Sequence, residues 1–158
     1  MNTVSGREEF ADWVSPHLTA MARLAARLAP DADRDDVVQD ALVRAWLKRH
    51  QFDERRGTPS AWLLAITADQ AGKARTRTGR RLTAVPDVPA SKDHEDGLDL
   101  RRALERLTAR QRLAVDCVYF VGLTVVETAA VMRCAEGTVK STLADARAKL
   151  RVLLEVAG

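Results

Sequence analysis

Apolar residues recur at steps of three and four through most of the chain, which is the spacing of amphipathic helices. The first apolar stripe runs over residues 7–29, and Pro16 interrupts it, so we expect a kink or break there. A second helix is predicted over residues 35–48, because acids precede its first apolar position and favour a helix N-terminus. Since β-branched alternation is scarce, the pattern predicts an all-α fold.

Residues 50–60, HQFDERRGTPS, lack this periodicity and are predicted to form a loop. Thr58 or Ser60 can cap a third helix, because a side-chain hydroxyl accepts hydrogen bonds from free backbone N–H groups. The apolar side of this third helix comprises Trp62, Leu63, Ile66 and Ala71.

A Pro-containing acidic stretch with little periodicity follows at residues 82–97, and it is typical of a flexible interdomain linker. Beyond it, short turns separate four helical patterns, at Leu98–Leu107, Gln111–Phe120, Val125–Met132 and Thr138–Leu154. The chain is therefore predicted to contain two small helical domains, at residues 1–81 and 98–158.

The second domain contains the pattern of a helix-turn-helix. Thr124 and Glu127 have the S/T-x-x-E spacing of a capping box, and Val139 and Leu143 are placed four apart to face one core. In such a motif the second helix enters the major groove by its N-terminal end. The residues that this end would present to DNA are Glu136, Gly137, Thr138, Lys140 and Ser141. From periodicity alone, a helical hairpin with a polar turn remains an alternative.

The charges are unevenly distributed along the chain. Residues 55–81 carry seven Lys or Arg against one acid, residues 82–100 carry one against five, and residues 101–158 carry ten against six. Two basic blocks on either side of an acidic stretch indicate two modules that each meet an anionic polymer. The alternative is that these blocks are ordinary solvated helix faces.

The sequence gives little support for catalysis, metal binding or cofactor binding. The three histidines have no metal-ligand spacing, and no phosphate-binding glycine loop or nucleophile motif occurs, so we expect no catalytic residue, metal or cofactor. Cys117 and Cys134 are expected to be reduced thiols, and no leader or membrane span is expected. The composition predicts a cytoplasmic protein without membrane insertion.

Two stretches resemble the bacterial RNA polymerase sigma-70 family, and they occur in the family's order. Residues 103–154, which contain GLTVVETAAVMRCAEGTVKS, resemble region 4, and residues 33–66, which contain DDVVQDALVRAW, resemble region 2. A chain with only these two regions resembles the extracytoplasmic-function (ECF) group. The resemblance implies promoter-specific transcription initiation, with RNA polymerase core (β′ clamp helices and β flap) and promoter DNA as partners. An anti-sigma factor is a further partner that it suggests.

The resemblance also implies roles for individual residues. The helix surface that would bind the β′ clamp helices comprises Asp36, Gln39, Asp40 and Arg44. The residues that would hold the melted −10 strand are Phe52, Arg55, Arg56, Ser60, Lys73, Arg75, Arg77, Arg80 and Arg81. For −35 duplex, Arg110, Arg112 and Arg147 would add phosphate contacts to the groove-facing residues of the recognition helix. Trp62 is expected to be mainly a core residue.

Five positions depart from the family pattern, and one of them is Ala135, which stands where a helix-capping serine is usual. Asp69 stands where an asparagine is usual, and its carboxylate would repel a DNA strand unless it pairs with Lys73. Arg133 occupies the usual turn glycine, while Thr142 and Asp145 stand where arginines commonly support DNA contacts. These departures predict altered promoter melting and weak or unusual −35 recognition. They also leave open a DNA-binding regulator, or a degenerate sigma-like protein, that does not initiate transcription. A basic helical adaptor without a nucleic-acid role is a third alternative.

Overall fold

The computed structural model describes the backbone of residues 6–82 and 95–157, and the described residues are helical apart from turns and short loops. The N-terminal part comprises α1 (Arg7–Val14), α2 (Leu18–Leu28), α3 (Arg34–Leu47) and α4 (Pro59–Leu82), with 3₁₀ turns at Ser15–His17 and Arg49–Gln51. The C-terminal part comprises α5 (Glu95–Glu105), α6 (Ala109–Val115), a π-helical turn at Asp116–Val121, α7 (Val125–Met132) and α8 (Glu136–Ala157). The all-α prediction is confirmed.

Most predicted helix limits agree with the structure within a few residues. The predicted interruption at Pro16 is a 3₁₀ turn between α1 and α2. By contrast, α4 continues for 24 residues, so the basic run that follows the predicted third helix is part of that helix. Helix α5 begins at Glu95, three residues before the predicted start, and residues 83–94 of the predicted linker lie outside the described residues.

Polar side chains define the helix starts. The Asp33 carboxylate accepts hydrogen bonds from the backbone N–H groups of Asp35 and Asp36 and begins α3. The Thr58 hydroxyl accepts from the N–H of Ala61 at the start of α4, which is one of the two predicted caps. The predicted capping box of α7 is present, since Thr124 and Glu127 exchange backbone-to-side-chain hydrogen bonds at 2.9 and 3.1 Å. These bonds satisfy N–H groups that a helix cannot satisfy internally.

Two apolar cores hold the helices together. One lies within the C-terminal part, where α7 and α8 pack through residues that include Ala129, Met132, Val139 and Leu143. The other is centred on α1–α4 but also contains four residues of the C-terminal part, namely Cys117, Val121, Leu123 and Val131. The two parts therefore share buried surface, with α7 packed along α4 and α2 packed on the π-helical turn.

Among the described helices, none combines the length and the apolar character needed to cross a membrane.

Candidate polymerase and DNA interfaces

Helix α3 separates a buried face from an exposed charged face. Val37, Ala41 and Ala45 are buried against the N-terminal core. The four residues predicted to bind polymerase are all exposed, namely Asp36, Gln39, Asp40 and Arg44. The structure thus brings the predicted set together on one accessible helix.

The same helix exposes two large apolar side chains that the sequence analysis did not assign to a site. Val43 is 60% exposed and Leu47 is 65% exposed. They follow Asp36 and Asp40 at helical steps of three and four, so all four lie on one side of α3. That spacing is the sequence signal that could have identified them. An exposed apolar pair beside charged side chains is the composition expected of a protein-binding surface.

Three aromatic rings meet beside the loop that precedes α4. The Trp13 ring lies 5.3 Å from Phe52 and 5.9 Å from Trp62 between ring centroids, and Phe52 and Trp62 are 5.5 Å apart, all near edge-to-face. All three residues are half-buried, and Trp62 packs against the core as expected. Trp13 was missed because it is far in sequence from the loop that it supports.

The loop itself carries its predicted cations at the surface. Arg55 and Arg56 are exposed, and Asp53 orders the turn by accepting a hydrogen bond from the Arg55 N–H at 3.0 Å. The Arg56 guanidinium lies 4.0 Å from the Asp53 carboxylate. Ser60 is half-buried, and its hydroxyl donates to the Glu127 carboxylate of α7.

The basic side chains predicted on α4 lie beside two different parts of the structure. Lys73, Arg75 and Arg77 are all exposed, and Arg77 lies 3.9 Å from Asp40 of α3. Arg75 instead lines a cleft of about 720 Å³ between the two parts of the chain. Arg80 and Arg81 extend the same helix, although their side chains lie outside the described residues.

Asp69 does not have the partner that its spacing predicts. Its carboxylate accepts from the Arg133 guanidinium at 2.5 Å, rather than pairing with Lys73 four residues along the helix. Arg133 ends α7 in the left-handed conformation, with φ of 55°. Two residues that are 64 positions apart in the sequence are thus bonded to each other.

The segment predicted as a helix-turn-helix consists of α7, a short turn at residues 133–135, and α8. Val139 is fully buried and Leu143 is 6% exposed, and both pack against α7 and its neighbours. The five residues predicted to face DNA are all exposed, namely Glu136, Gly137, Thr138, Lys140 and Ser141. Helix α8 begins at Glu136, so these residues occupy its first two turns.

The predicted phosphate-binding arginines of the C-terminal part have different surroundings. The Arg147 guanidinium donates to the Tyr119 hydroxyl at 3.0 Å. Arg110 and Arg112 line the 720 Å³ cleft opposite Arg75. Of the two unusual positions on α8, Thr142 is half-buried and Asp145 is exposed.

Two groups have perturbed ionisation. Burial and the nearby Asp116 carboxylate raise the pKa of the Cys117 thiol to about 12. Burial alone would raise the pKa of Glu127, but hydrogen bonds from Ser60 and Thr124 and the charge of His17 outweigh it, so the pKa lies below its ordinary value. Glu127 is therefore held as a carboxylate where the two parts of the chain meet.

Family models match both parts of the chain. Sigma-70 region 2 matches residues 13–81, and Sigma-70, region 4 matches residues 97–150. The chain is 36% identical over 142 residues to the ECF RNA polymerase sigma factor SigM of Mycobacterium tuberculosis, covering 87% of this chain and 71% of SigM. It is 32% identical over 150 residues to the RNA polymerase sigma-E factor of Streptomyces coelicolor, covering 90% and 84% of the two chains.

Solved structures of similar proteins agree with these matches. CnrH, solved in complex with the cytosolic domain of CnrY, superposes with a TM-score of 0.68 at 28% identity, covering 98% of this chain and 92% of CnrH. The sigma factor RpoE from Bartonella quintana, solved with the anti-sigma factor NepR, gives a TM-score of 0.63 at 30% identity, covering 94% and 98%. The chain belongs to the ECF group of the sigma-70 family, whose members bind RNA polymerase core and direct it to specific promoters.

Proposed function

We propose that this sigma factor binds core polymerase through the exposed side of α3. This polymerase face comprises Asp36, Gln39, Asp40 and Arg44, together with Val43 and Leu47. The observation that carries the assignment is the exposure of Val43 and Leu47, at 60% and 65%, within a charged helix. Burying these two side chains against the β′ clamp helices would stabilise the complex, while the surrounding charges would set its orientation.

The −10 strand is assigned to the loop before α4 and to the basic side of α4. Arg55, Arg56 and Lys73 are exposed and can neutralise phosphates. The half-buried rings of Phe52 and Trp62 offer a surface on which an unstacked base can stack, and Trp13 supports them from behind. The other proposed members of this site are Ser60, Arg75, Arg77, Arg80 and Arg81.

The −35 duplex is assigned to the N-terminal end of α8. Lys140 and Glu136 are exposed there, while Val139 anchors the helix in the core. A recognition helix held in this way presents its first two turns to base edges. Gly137, Thr138 and Ser141 complete the groove-facing set. Arg110 and Arg112 would contact phosphates, as would Arg147 once released from the Tyr119 hydroxyl.

The remaining assignments follow from the family. The protein acts without catalytic residues of its own, in the cytoplasm, where polymerase and promoter DNA are found. The C-terminal domain also contacts the β flap of polymerase. An anti-sigma factor regulates it, and support for this comes from the similar RpoE structure, which contains the anti-sigma factor NepR.

Run-off transcription with purified core enzyme and a genomic promoter library tests the proposal, alongside measurement of core binding. Val43→Asp with Leu47→Asp is expected to weaken core binding at least tenfold and to abolish promoter-dependent product. Val156→Asp, at an exposed position in the last turn of α8, is the matched control and should bind core like the wild type. Equal core binding by the α3 variant and the control would overturn the polymerase assignment. If even the wild-type protein yields no promoter-dependent product, the alternative of a non-initiating DNA-binding regulator is favoured.

A further inference from the structure

The two domains are joined by polar contacts at both ends of the α4–α7 pair. Near the start of each helix, the Ser60 hydroxyl donates to the Glu127 carboxylate. Further along both helices, Asp69 accepts from Arg133. Because both sequence numbers increase together, α7 runs alongside α4 in the same direction. Val131 of α7 is buried in the core that α4 shares.

A second set of contacts lies on the other side of the core. The Arg27 Nε lies 2.8 Å from the carboxylate of Asp116, which is only 5% exposed. The same guanidinium sits 3.7 Å above the centre of the Phe120 ring. A buried carboxylate needs a partner of this kind, so the docked arrangement satisfies a group that separation of the domains would expose to water.

In the docked arrangement the proposed DNA-binding residues face one another. Arg56 and Gly57 of the −10 loop line the same groove as Ala135 and Glu136 at the start of the recognition helix. The positions that name the −10 and −35 elements are about 25 base pairs apart, which is roughly 85 Å of duplex at 3.4 Å per base pair. Residues that share one groove cannot reach both elements, so the docked arrangement excludes simultaneous binding of the two.

Without its partner, Asp69 would be unfavourable for DNA binding and Arg133 would be unfavourable for folding. A carboxylate beside the −10 strand repels phosphate, and a non-glycine residue at φ of 55° is strained. Joined to each other, they form an ion pair that exists only when the domains are docked. The contact offsets both costs at once.

We propose that the Asp69–Arg133 pair is an intramolecular latch that holds the helix-turn-helix against the −10 face and that must open before promoter binding. That docking blocks DNA binding rests on the DNA-binding faces assigned under the proposed function. That the ion pair favours docking does not depend on them. Since the two side chains are 45% and 72% exposed, the pair shifts the ratio of docked to separated molecules by only about two- to fivefold. A latch of this strength is readily displaced by a polymerase that binds the separated form.

Spin–spin distance measurements on the full-length chain test the latch. Labels are placed at exposed positions in the two domains by Thr19→Cys and Arg151→Cys, in a background carrying Cys134→Ser. The deeply buried Cys117 stays unlabelled. Asp69→Arg and Arg133→Asp are each expected to lower the docked-to-separated ratio two- to fivefold, and the swapped pair Asp69→Arg with Arg133→Asp should restore it. Glu105→Arg and Arg106→Asp make the same charge changes at exposed positions outside the interface and should leave the ratio unchanged.

Binding of a −10 single-stranded oligonucleotide is measured on the same variants. Arg133→Asp lies outside the proposed −10 set and is expected to raise affinity two- to fivefold. An unchanged docked-to-separated ratio in both single variants would overturn the latch. Failure of the swapped pair to restore the wild-type ratio would also overturn it. If no variant binds the oligonucleotide although the distances respond as expected, the latch stands and the assigned −10 site is wrong.

Discussion

Arg133 closes the turn of the helix-turn-helix in the left-handed conformation, and its guanidinium donates to Asp69 at a distance of 2.5 Å. One residue therefore determines both a local backbone conformation and a contact between domains. These two roles have opposite effects on stability, so substitutions can separate them.

Replacing Arg133 with glycine tests this balance. In an Asp69→Asn background, Arg133→Gly should stabilise the protein by about 1 kcal/mol, because glycine adopts positive φ without steric cost. In the otherwise wild-type chain the gain should be smaller by about 0.5 kcal/mol, because an exposed ion pair is lost. Urea denaturation of the four proteins measures the difference. Equal gains in both backgrounds would show that the ion pair contributes nothing to stability.

Arg27 is expected to matter more than Arg133, because its partner Asp116 is buried. Arg27→Met keeps much of the apolar contact with Phe120 but leaves a buried carboxylate unpaired, and should cost about 2–3 kcal/mol. The double variant Arg27→Met with Asp116→Asn should recover at least half of that loss, since no uncompensated charge remains. Urea denaturation again provides the measurement, and a double variant no more stable than Arg27→Met would contradict this account.

Stability should depend on the ionisation of Glu127. Its pKa in the folded protein lies below the ordinary value of 4.5, so its carboxylate form stabilises the folded protein. The sign follows from linkage: this contribution is fully present above pH 4.5 and is lost as the pH falls through the lowered pKa. The stability difference between wild type and Glu127→Gln should therefore be constant above about pH 5.5 and shrink below pH 4.5. A difference that grows on acidification would refute this prediction.

The two thiols should react at very different rates. Cys117 is fully buried and its pKa is raised to about 12, whereas Cys134 is half-exposed in the turn after α7. At pH 8 a chromogenic disulfide reagent should modify one thiol per chain rapidly and the second only after denaturant is added. Cys134→Ser should remove the rapid phase. Rapid reaction of both thiols in the folded chain would show that the domain interface opens readily.

Substitutions in the first turns of α8 should separate DNA contact from core packing. Lys140→Ala should lower affinity for −35 duplex and flatten the salt dependence by about one if Lys140 touches a phosphate. Glu136→Ala should change base preference more than affinity, because an acid near phosphates serves mainly to discriminate. Val139→Ala should lower stability by about 2 kcal/mol through a cavity in the core. Titration against a randomised −35 library at two salt concentrations tests the first two variants, and wild-type behaviour of both would exclude α8 from recognition.

Local patterns in the sequence predicted where the helices lie and several of their caps, although not the full length of α4. The apolar spacing of Val139 and Leu143, the capping box of Thr124 and Glu127, and the break at Pro16 depend on neighbours within a few residues. These residues are close to one another in the sequence, so their spacing is enough to predict the helix-turn-helix and the exposed α3 surface. The family resemblance then supplied the function.

The relation between the two domains was decided by tertiary structure alone. The Asp69–Arg133 pair spans 64 residues and the Arg27–Asp116 pair spans 89, and no periodicity connects such positions. The sequence predicts pairing of Asp69 with Lys73, because Lys73 is the only charged residue three or four positions from Asp69 along the helix. The actual partners were selected by the packing of α7 on α4, since burying apolar surface between the domains brings distant charges together.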